Sequence, residues 1–284
     1  MKLTFLGTGA DSSYPLPSCR CEYCLKSREY GGKNLRKRAL AVINEDLILD
    51  FGPDMMSASF MYGIDISKLK YCFITHAHAD HFDPAHLSTR IPDYAAENTI
   101  LLEIYASQLS LERMTKMLMD IGYISDIENK KEQEKLNTRS IKAIHSKKIE
   151  VGDYTVIPFS SNHDESVGSV VYAITQNEKS ILYCTDTDSL SDTTWGAMVS
   201  NSCKFDLIVL DHTYGFNIEG GGHLNGNKFV DHIQKFRSLE LLKPSARIMA
   251  THISHEGNPP HEEMQQLANR YGYEVAYDGL FIDL

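Results

Sequence analysis

Between positions 75 and 81 the chain reads Thr75-His76-Ala77-His78-Ala79-Asp80-His81, directly after the apolar run at 71–74. Three imidazoles and a carboxylate so close to a buried strand cannot all face an apolar core, because each polar group buried without a partner costs kilocalories. A metal ion supplies the missing partner. Neutral imidazole and carboxylate are ligands for Zn, Mn or Fe, and a loop leaving a strand can turn His76 and His78 toward one ion while Asp80 and His81 reach a second.

Three more residues repeat that placement, each at or just beyond the end of an apolar run: His163, Asp186 and His252. Ligands in α/β proteins collect at the carboxyl ends of strands, so such positions can converge although they lie far apart in sequence. A second cluster of metal-type residues stands near the start of the chain, in Cys19-Arg20-Cys21-Glu22-Tyr23-Cys24. Six cysteines are too few to staple 284 residues, and three of them within six positions point to a metal rather than to disulfides. Cys72 and Cys184 lie inside apolar runs, and with Cys203 they read as structural, since buried cysteine behaves mainly as a small hydrophobe.

The elements that must hold these residues alternate between β-rich runs and helical patterns, which makes the chain α/β. Strands are expected at 2–6, 40–44, 46–50, 71–75, 99–105, 155–160, 169–174, 180–185, 206–211 and 247–251. Helices are expected at 53–61, 108–121, 191–200, 227–241 and 260–271, the last opening after Pro259-Pro260. The polar, charge-mixed stretch 122–142 lacks an apolar stripe and reads as a surface insertion. Without a Pro/Gly/Ser-rich linker or a short repeat, residues 1–284 read as a single domain with an insertion near 105–145.

Composition narrows the partners. With 42% hydrophobic and 23% charged residues the chain can bury a sizeable core, which excludes disorder as a description of the whole. The 28 Lys and Arg against 38 Asp and Glu give a net charge of -10, which disfavours a protein that binds polynucleotides by neutralising phosphates. No run approaches about 18 apolar residues, and the first apolar stretch is too short for a signal peptide. A soluble, cytoplasmic protein without membrane partners is expected.

The HxHxDH run, His163 downstream, Thr185-Asp186 after an apolar strand and Thr251-His252 near the end resemble the metallo-β-lactamase superfamily of binuclear metallohydrolases. The resemblance spans nearly the whole chain, from Gly7-Thr8-Gly9 to Asp278-Gly279. It implies a four-layer αβ/βα sandwich with the metals at one edge. It also implies that His76, His78 and His163 hold one divalent ion, that Asp80, His81 and His252 hold the other, and that Asp186 bridges them.

A narrower resemblance is to the PhnP-type phosphodiesterases, accessory enzymes of phosphonate breakdown, whose C-x-C-x2-C matches Cys19, Cys21 and Cys24. In those enzymes a further ligand follows the Thr-His ligand by three residues, and His255 stands at that spacing. The resemblance therefore implies a Cys3His site for one structural zinc, a closed tetrahedral shell that would pin a zinc-binding loop near 10–39 beside the metal edge. His223, in Gly221-Gly222-His223-Leu224-Asn225, falls where those enzymes carry a His that contacts phosphate and assists the leaving group. A glycine-rich loop lets it reach a cleft at low backbone cost, and the plainer alternative is a cap on the helix starting near Asn227. His212, at the end of 206–211, reads as structural, and His86, His145, His232 and His261 show no functional pattern.

Two divalent ions and two carboxylates leave a pocket near +2, which suits an anion in spite of the acidic chain. The resemblance thus implies a metal-dependent hydrolase, most simply a phosphodiesterase acting on a small or cyclic phosphodiester through a metal-bridging hydroxide, with Zn or Mn at the site and Asp80 and His223 as catalytic residues. The competing reading is acyl hydrolysis of a thioester or lactone, which the HxHxDH motif allows equally. β-Lactam hydrolysis is disfavoured because those members usually lack a His where His81 stands. An RNA-processing nuclease is disfavoured because the insertion carries mixed charge and no basic arm. A scaffold without catalysis is disfavoured because all seven ligand positions are filled, and a homodimer is compatible with the sequence. Two departures from the narrower family, the glycine-free Phe82-Asp83-Pro84 and a longer 105–150 segment, bear on the substrate rather than on the metals.

Overall fold

Period-two alternation along the strands decides which way each sheet faces. In the computed structural model, which describes residues 1–95, 99–122 and 124–284, the chain forms β1 (Lys2–Gly7), β2 (Leu40–Ile43), β3 (Leu47–Leu49), β4 (Tyr71–Phe73), β5 (Leu102–Ala106) and β6 (Thr138–Lys142). It continues with β7 (Ile149–Val151), β8 (Tyr154–Ser160), β9 (Val170–Gln176), β10 (Lys179–Cys184), β11 (Phe205–Asp211), β12 (Leu242–Thr251) and β13 (Glu274–Val275), and closes with β14 (Phe281–Asp283). Two seven-stranded sheets result, in the orders β14-β1-β2-β3-β4-β5-β6 and β13-β12-β11-β10-β9-β8-β7. Leu47 and Leu49 of β3, with Leu207 and Val209 of β11, point between the sheets, whereas Ile48, Ile208 and Leu210 point outward under helices. Phe73 stacks on Tyr105 at 4.4 Å and meets Tyr172 of the other sheet edge-on at 5.2 Å, which locks the two layers together.

The helices are α1 (Glu22–Tyr30), α2 (Met55–Tyr62), α3 (Pro84–Ser88), α4 (Gln108–Asp120), α5 (Lys130–Leu136), α6 (Asp192–Ser200), α7 (Gly226–Ser238) and α8 (His261–Tyr271). Apolar residues of α2 to α5 cover the outer face of the first sheet, and those of α1, α6, α7 and α8 cover the second. The architecture is the four-layer αβ/βα sandwich. β3, β4, β5 and β6 run parallel, as do β10, β11, β12 and β13, so within each sheet the carboxyl ends of these strands open on one edge. Among the described residues no helix is long and apolar enough to cross a membrane.

The segment read as a surface insertion belongs instead to the sandwich. β6 pairs in parallel with β5 and completes the first sheet, Leu102 opposite Thr138 and Ala106 opposite Lys142, while Ile124, Ile127 and Leu136 are buried in the core. Three apolar residues spaced unevenly leave no stripe to read. An edge strand such as Thr-Arg-Ser-Ile-Lys meets a neighbour on one side only and needs little hydrophobicity. The helix expected at 53–61 begins at Met55, and Asp54 before it does not cap the helix but accepts the Arg38 amide at 3.0 Å.

Candidate metal centre

The candidate ligands all leave strand ends at the shared edge. His76 to His81 follow β4, His163 follows β8, Asp186 follows β10 and His252 follows β12. Asp186 and His252 adopt left-handed backbone angles, φ 53° and 57°, as does Asp50 after β3 at 69°. Each costs about 1 kcal/mol for a non-glycine residue and turns a side chain off its strand, those of Asp186 and His252 into the cleft and that of Asp50 behind His81.

Two groups of donor atoms form. His78 Nδ1 lies 2.9 Å from His76 Nε2 and 3.3 Å from His163 Nε2. In the second group His81 Nε2 is 3.0 Å from Asp80 Oδ2 and 3.1 Å from Asp186 Oδ2, and His252 Nε2 is 3.2 Å from Asp186 Oδ1. Asp186 Oδ1 is also 4.0 Å from His76 Nε2 and 3.9 Å from His163 Nε2, so this carboxylate stands between the groups. His81 Nε2, His252 Nε2 and Asp186 Oδ2 are buried without any hydrogen-bond partner. Buried polar atoms left in this way need a cation, and the donor set fits divalent ions.

The other nitrogen of every ring is held from behind. His81 Nδ1 donates to Asp50 Oδ2 at 2.7 Å, His78 Nε2 to Asp164 Oδ2 at 3.1 Å and His163 Nδ1 to the Gly222 carbonyl at 2.8 Å. His76 Nδ1 meets Thr75 Oγ1 at 3.1 Å and His252 Nδ1 meets Thr213 Oγ1 at 2.8 Å. Such outer bonds set the tautomer that presents a lone pair to a metal. Burial holds His76 and His163 below the usual imidazole range, in the neutral form that ligates. His81 differs: burial pulls it down, but the carboxylates of Asp186, Asp80 and Asp50 outweigh burial and hold it well above that range, so loading a cation there displaces a proton.

His223 stacks on His252 at 5.1 Å and its Nδ1 donates to Asp211 Oδ2 at 2.8 Å. Burial alone would lower its pKa, yet the adjoining Asp211 carboxylate raises it to about 9. The alternative of a helix cap is not what forms, because Asn225 caps α7 by accepting the Lys228 amide. An open cleft of about 500 Å³ runs past these groups, lined by His78, Asp80, His163, Asp186, His223 and His252 and faced by Asp11, Arg38 and Pro53. Arg38 is fixed there, with Nε donating to the Asp11 carbonyl at 2.9 Å and Nη1 to Asp54 at 3.1 Å.

Cys19, Cys21, Cys24 and His255 also converge, with one ligand atom from each lying within 4.8 Å of the others. His255 Nδ1 is 3.6 Å from Cys21 Sγ and 3.8 Å from Cys19 Sγ. The Cys21 and Cys24 amides donate to the sulfurs of Cys19 and Cys21, and Arg28 ties the loop by donating to the carbonyls of Leu16 and Cys19. The Cys21 amide draws the Cys19 thiol below its usual range, whereas burial pushes Cys24 up to about 12. Adjacent thiols cannot ionise together without a cation, and a set of three sulfurs and one imidazole fits a tetrahedral one. The loop is anchored beside the first site by bonds from Ile253 to Thr8 and from Ala10 to Ile253.

The sequence reading missed four residues here. Asp50 and Asp211 end apolar strands just as Asp186 follows one, so the signal that picked out Asp186 was present for both. Asp164 and Arg38 carry no such signal. His86, His145, His232 and His261 make local structural bonds, for example His232 Nε2 accepting the Leu190 amide.

Fold and site together define a metal-dependent hydrolase of the metallo-β-lactamase fold. Residues 47–270 match the family described as the beta-lactamase superfamily domain, and the chain belongs to that superfamily. Among solved structures it is similar to a diphosphatase from the PhnP family, with 23% identity and a TM-score of 0.73 over 99% of this chain and 96% of that one. It is similar to Zn(2+)-bound PqqB from Methylobacterium extorquens, with 17% identity and a TM-score of 0.73 over 100% of both chains. Human tRNase Z, short form, is 18% identical with a TM-score of 0.64 over 100% of this chain and 99% of that one. No curated protein matches the chain.

Proposed function

We propose that the chain is a phosphodiesterase that holds two divalent ions, Zn or Mn, at His76, His78, His163, Asp80, His81, His252 and Asp186, and hydrolyses a small or cyclic phosphodiester. The observation that carries this reading is the His223–Asp211 pair at 2.8 Å beside the empty-handed donor atoms of the cluster. When bound, the ions supply Lewis acidity and a water nucleophile active at neutral pH. Asp211 fixes the His223 tautomer and supports its protonated form, leaving Nε2 on the cleft side to give a proton to a departing alkoxide. Asp80 lines the cleft, and although burial opposes it, His81 and His252 hold its carboxyl well below the usual carboxylate range, so it is ionised and able to hold a cation or orient a water. Arg38, held rigidly on the facing wall, attracts an anionic substrate, which a neutral thioester or lactone would not need. That a diphosphatase and a tRNase Z are among the similar structures supports phosphoryl chemistry.

The test is a substrate panel on metal-loaded protein: bis-aryl phosphate, cyclic nucleotides, a thioester and a lactone. Phosphodiesters are expected to give the highest kcat/KM. Faster turnover of the thioester or lactone than of every phosphodiester would reject the reading.

The same proposal assigns a structural zinc to Cys19, Cys21, Cys24 and His255. Cys21→Ser removes a ligand while the serine can still cap α1 by accepting the Cys24 amide, so the loss reports on the metal. It is expected to lose that ion and about 2 kcal/mol or more of stability, which lowers Tm by about 4–8 °C. Unchanged Tm and zinc content by calorimetry and elemental analysis would count against the site.

A further inference from the structure

The three rings of the first group are not held alike. His76 is fully buried, and His163 is nearly so, with its Nδ1 on the Gly222 carbonyl. The His78 side chain is 29% exposed, and the carboxylate behind it, Asp164, is 36% exposed. A pair that open to water contributes little by itself, so the geometry of His78 must come from the backbone on either side of the pair. Both stretches of backbone are tied to one helix, α4.

Arg113 of α4 donates Nε to the Ala77 carbonyl at 2.8 Å. That carbonyl belongs to the peptide plane leading into His78, so fixing it fixes the direction in which the His78 side chain leaves the chain. Ala77 is also buried in the same apolar cluster as Leu111 and Met114 of the helix. On the other side, Asp164 opens a single 3-10 turn, Glu165–Val167. Its Oδ1 accepts the Ser166 amide at 2.8 Å, which leaves Oδ2 for His78. The end of that turn rests on the first turn of α4, where the Val167 carbonyl accepts Ser110 Oγ at 2.8 Å and Ser107 Oγ at 3.3 Å. Gly168 follows with φ 59°, and a Cβ there would lie 2.8 Å from Ser107 Oγ, so the loop closes on the helix with no room for a side chain.

The two loops come from different sheets, 75–81 after β4 and 161–169 between β8 and β9, and α4 grips one of each. A direct bond between the loops, from the Val170 amide to the Thr75 carbonyl, involves neither His78 nor Asp164. The second group is backed instead by Asp50 and Thr213, which follow β3 and β11.

We propose, resting on the two-ion reading above and independently of the substrate, that α4 shapes the first ion site, with Arg113 and Ser110 as positioning residues. Each fixes one half of the His78–Asp164 pair. Losing either weakens the ion at His76, His78 and His163 and spares the ion at Asp80, His81 and His252.

The experiment is a chelator-competed zinc titration of protein whose edge site has been emptied. It compares the wild type with Arg113→Met, Ser110→Ala and Lys116→Met, the last removing an exposed cation one turn further along α4. His163→Ala marks which binding step belongs to the first group. That step is expected to weaken about tenfold or more in Arg113→Met and in Ser110→Ala, as loss of a bond behind a ligand does, while the other step changes by less than about threefold. Lys116→Met should match the wild type at both steps. Because Arg113 is a cation, its removal would tighten the site if charge alone mattered, so the sign of the change separates positioning from electrostatics. A merely structural role for α4 would lower Tm and weaken both steps together, or weaken the first step equally in Lys116→Met, and either result overturns the proposal. Wild-type affinity in both Arg113→Met and Ser110→Ala overturns it as well, while two clear steps in the wild type would leave the two-ion reading standing. A wild type that takes up a single ion at the edge overturns that reading and the proposal with it.

Discussion

Asp186→Ala is expected to reduce the metal content of the edge site from two ions to one or fewer and to lower kcat on any substrate by at least about a thousandfold. Among the described residues Asp186 is the one carboxylate within 4.0 Å of imidazole nitrogens from both groups, His81 and His252 on one side and His76 and His163 on the other. Removing it leaves Asp80 at His81 and His252 but no carboxylate between the two groups, so two cations there would repel with far less compensation. Loss of paired-ion catalysis withdraws several kcal/mol of transition-state stabilisation, and about 4 kcal/mol already corresponds to a thousandfold. Asp186→Asn keeps the shape and removes the charge, and should behave almost as badly. Elemental analysis with steady-state kinetics decides the matter. Retention of two ions and more than a tenth of the activity would show that the carboxylate does not join the two groups.

His223→Ala is expected to separate substrates by leaving group. An alkoxide needs a proton as it departs and an activated aryl oxide does not, so loss of a general acid should reduce turnover of an alkyl or cyclic ribose phosphate by about a hundredfold to ten-thousandfold, or about 3 to 5 kcal/mol of barrier. Bis-aryl phosphate should slow only modestly, with metal content intact, because all seven candidate ligands remain. Asp211→Asn should show the same contrast more weakly. It keeps the contact with His223 Nδ1 but removes the charge that supports the protonated ring. Equal losses on both substrate types would reject the acid role. A large loss of stability in His223→Ala would also be unexpected, since Asn225 and not His223 caps α7.

Much of the site was legible in the sequence because ligand chemistry is local. His76, His78, Asp80 and His81 declare themselves by type and spacing after a buried strand, and Cys19, Cys21 and Cys24 by proximity. Strand-end placement extended the list to His163, Asp186 and His252, since apolar runs can be read from the order of residues alone. The α/β class and most central strands follow from the same patterns.

What only the tertiary structure decided depends on residues distant in sequence. That Asp50 rather than another strand-end carboxylate backs His81, and that Asp211 holds His223, required β3 beside β4 and β11 between β10 and β12. Arg38 reaches the cleft because β1 and β2 pair and Asp54 and Asp11 hold its guanidinium. Residues 138–142 became β6 because an unfilled edge of the first sheet offered a ladder of hydrogen bonds to a segment with little hydrophobicity of its own. Residue type and periodicity report what a segment can do by itself, whereas a sheet edge, a facing carboxylate or a cavity wall exists only once distant segments have packed.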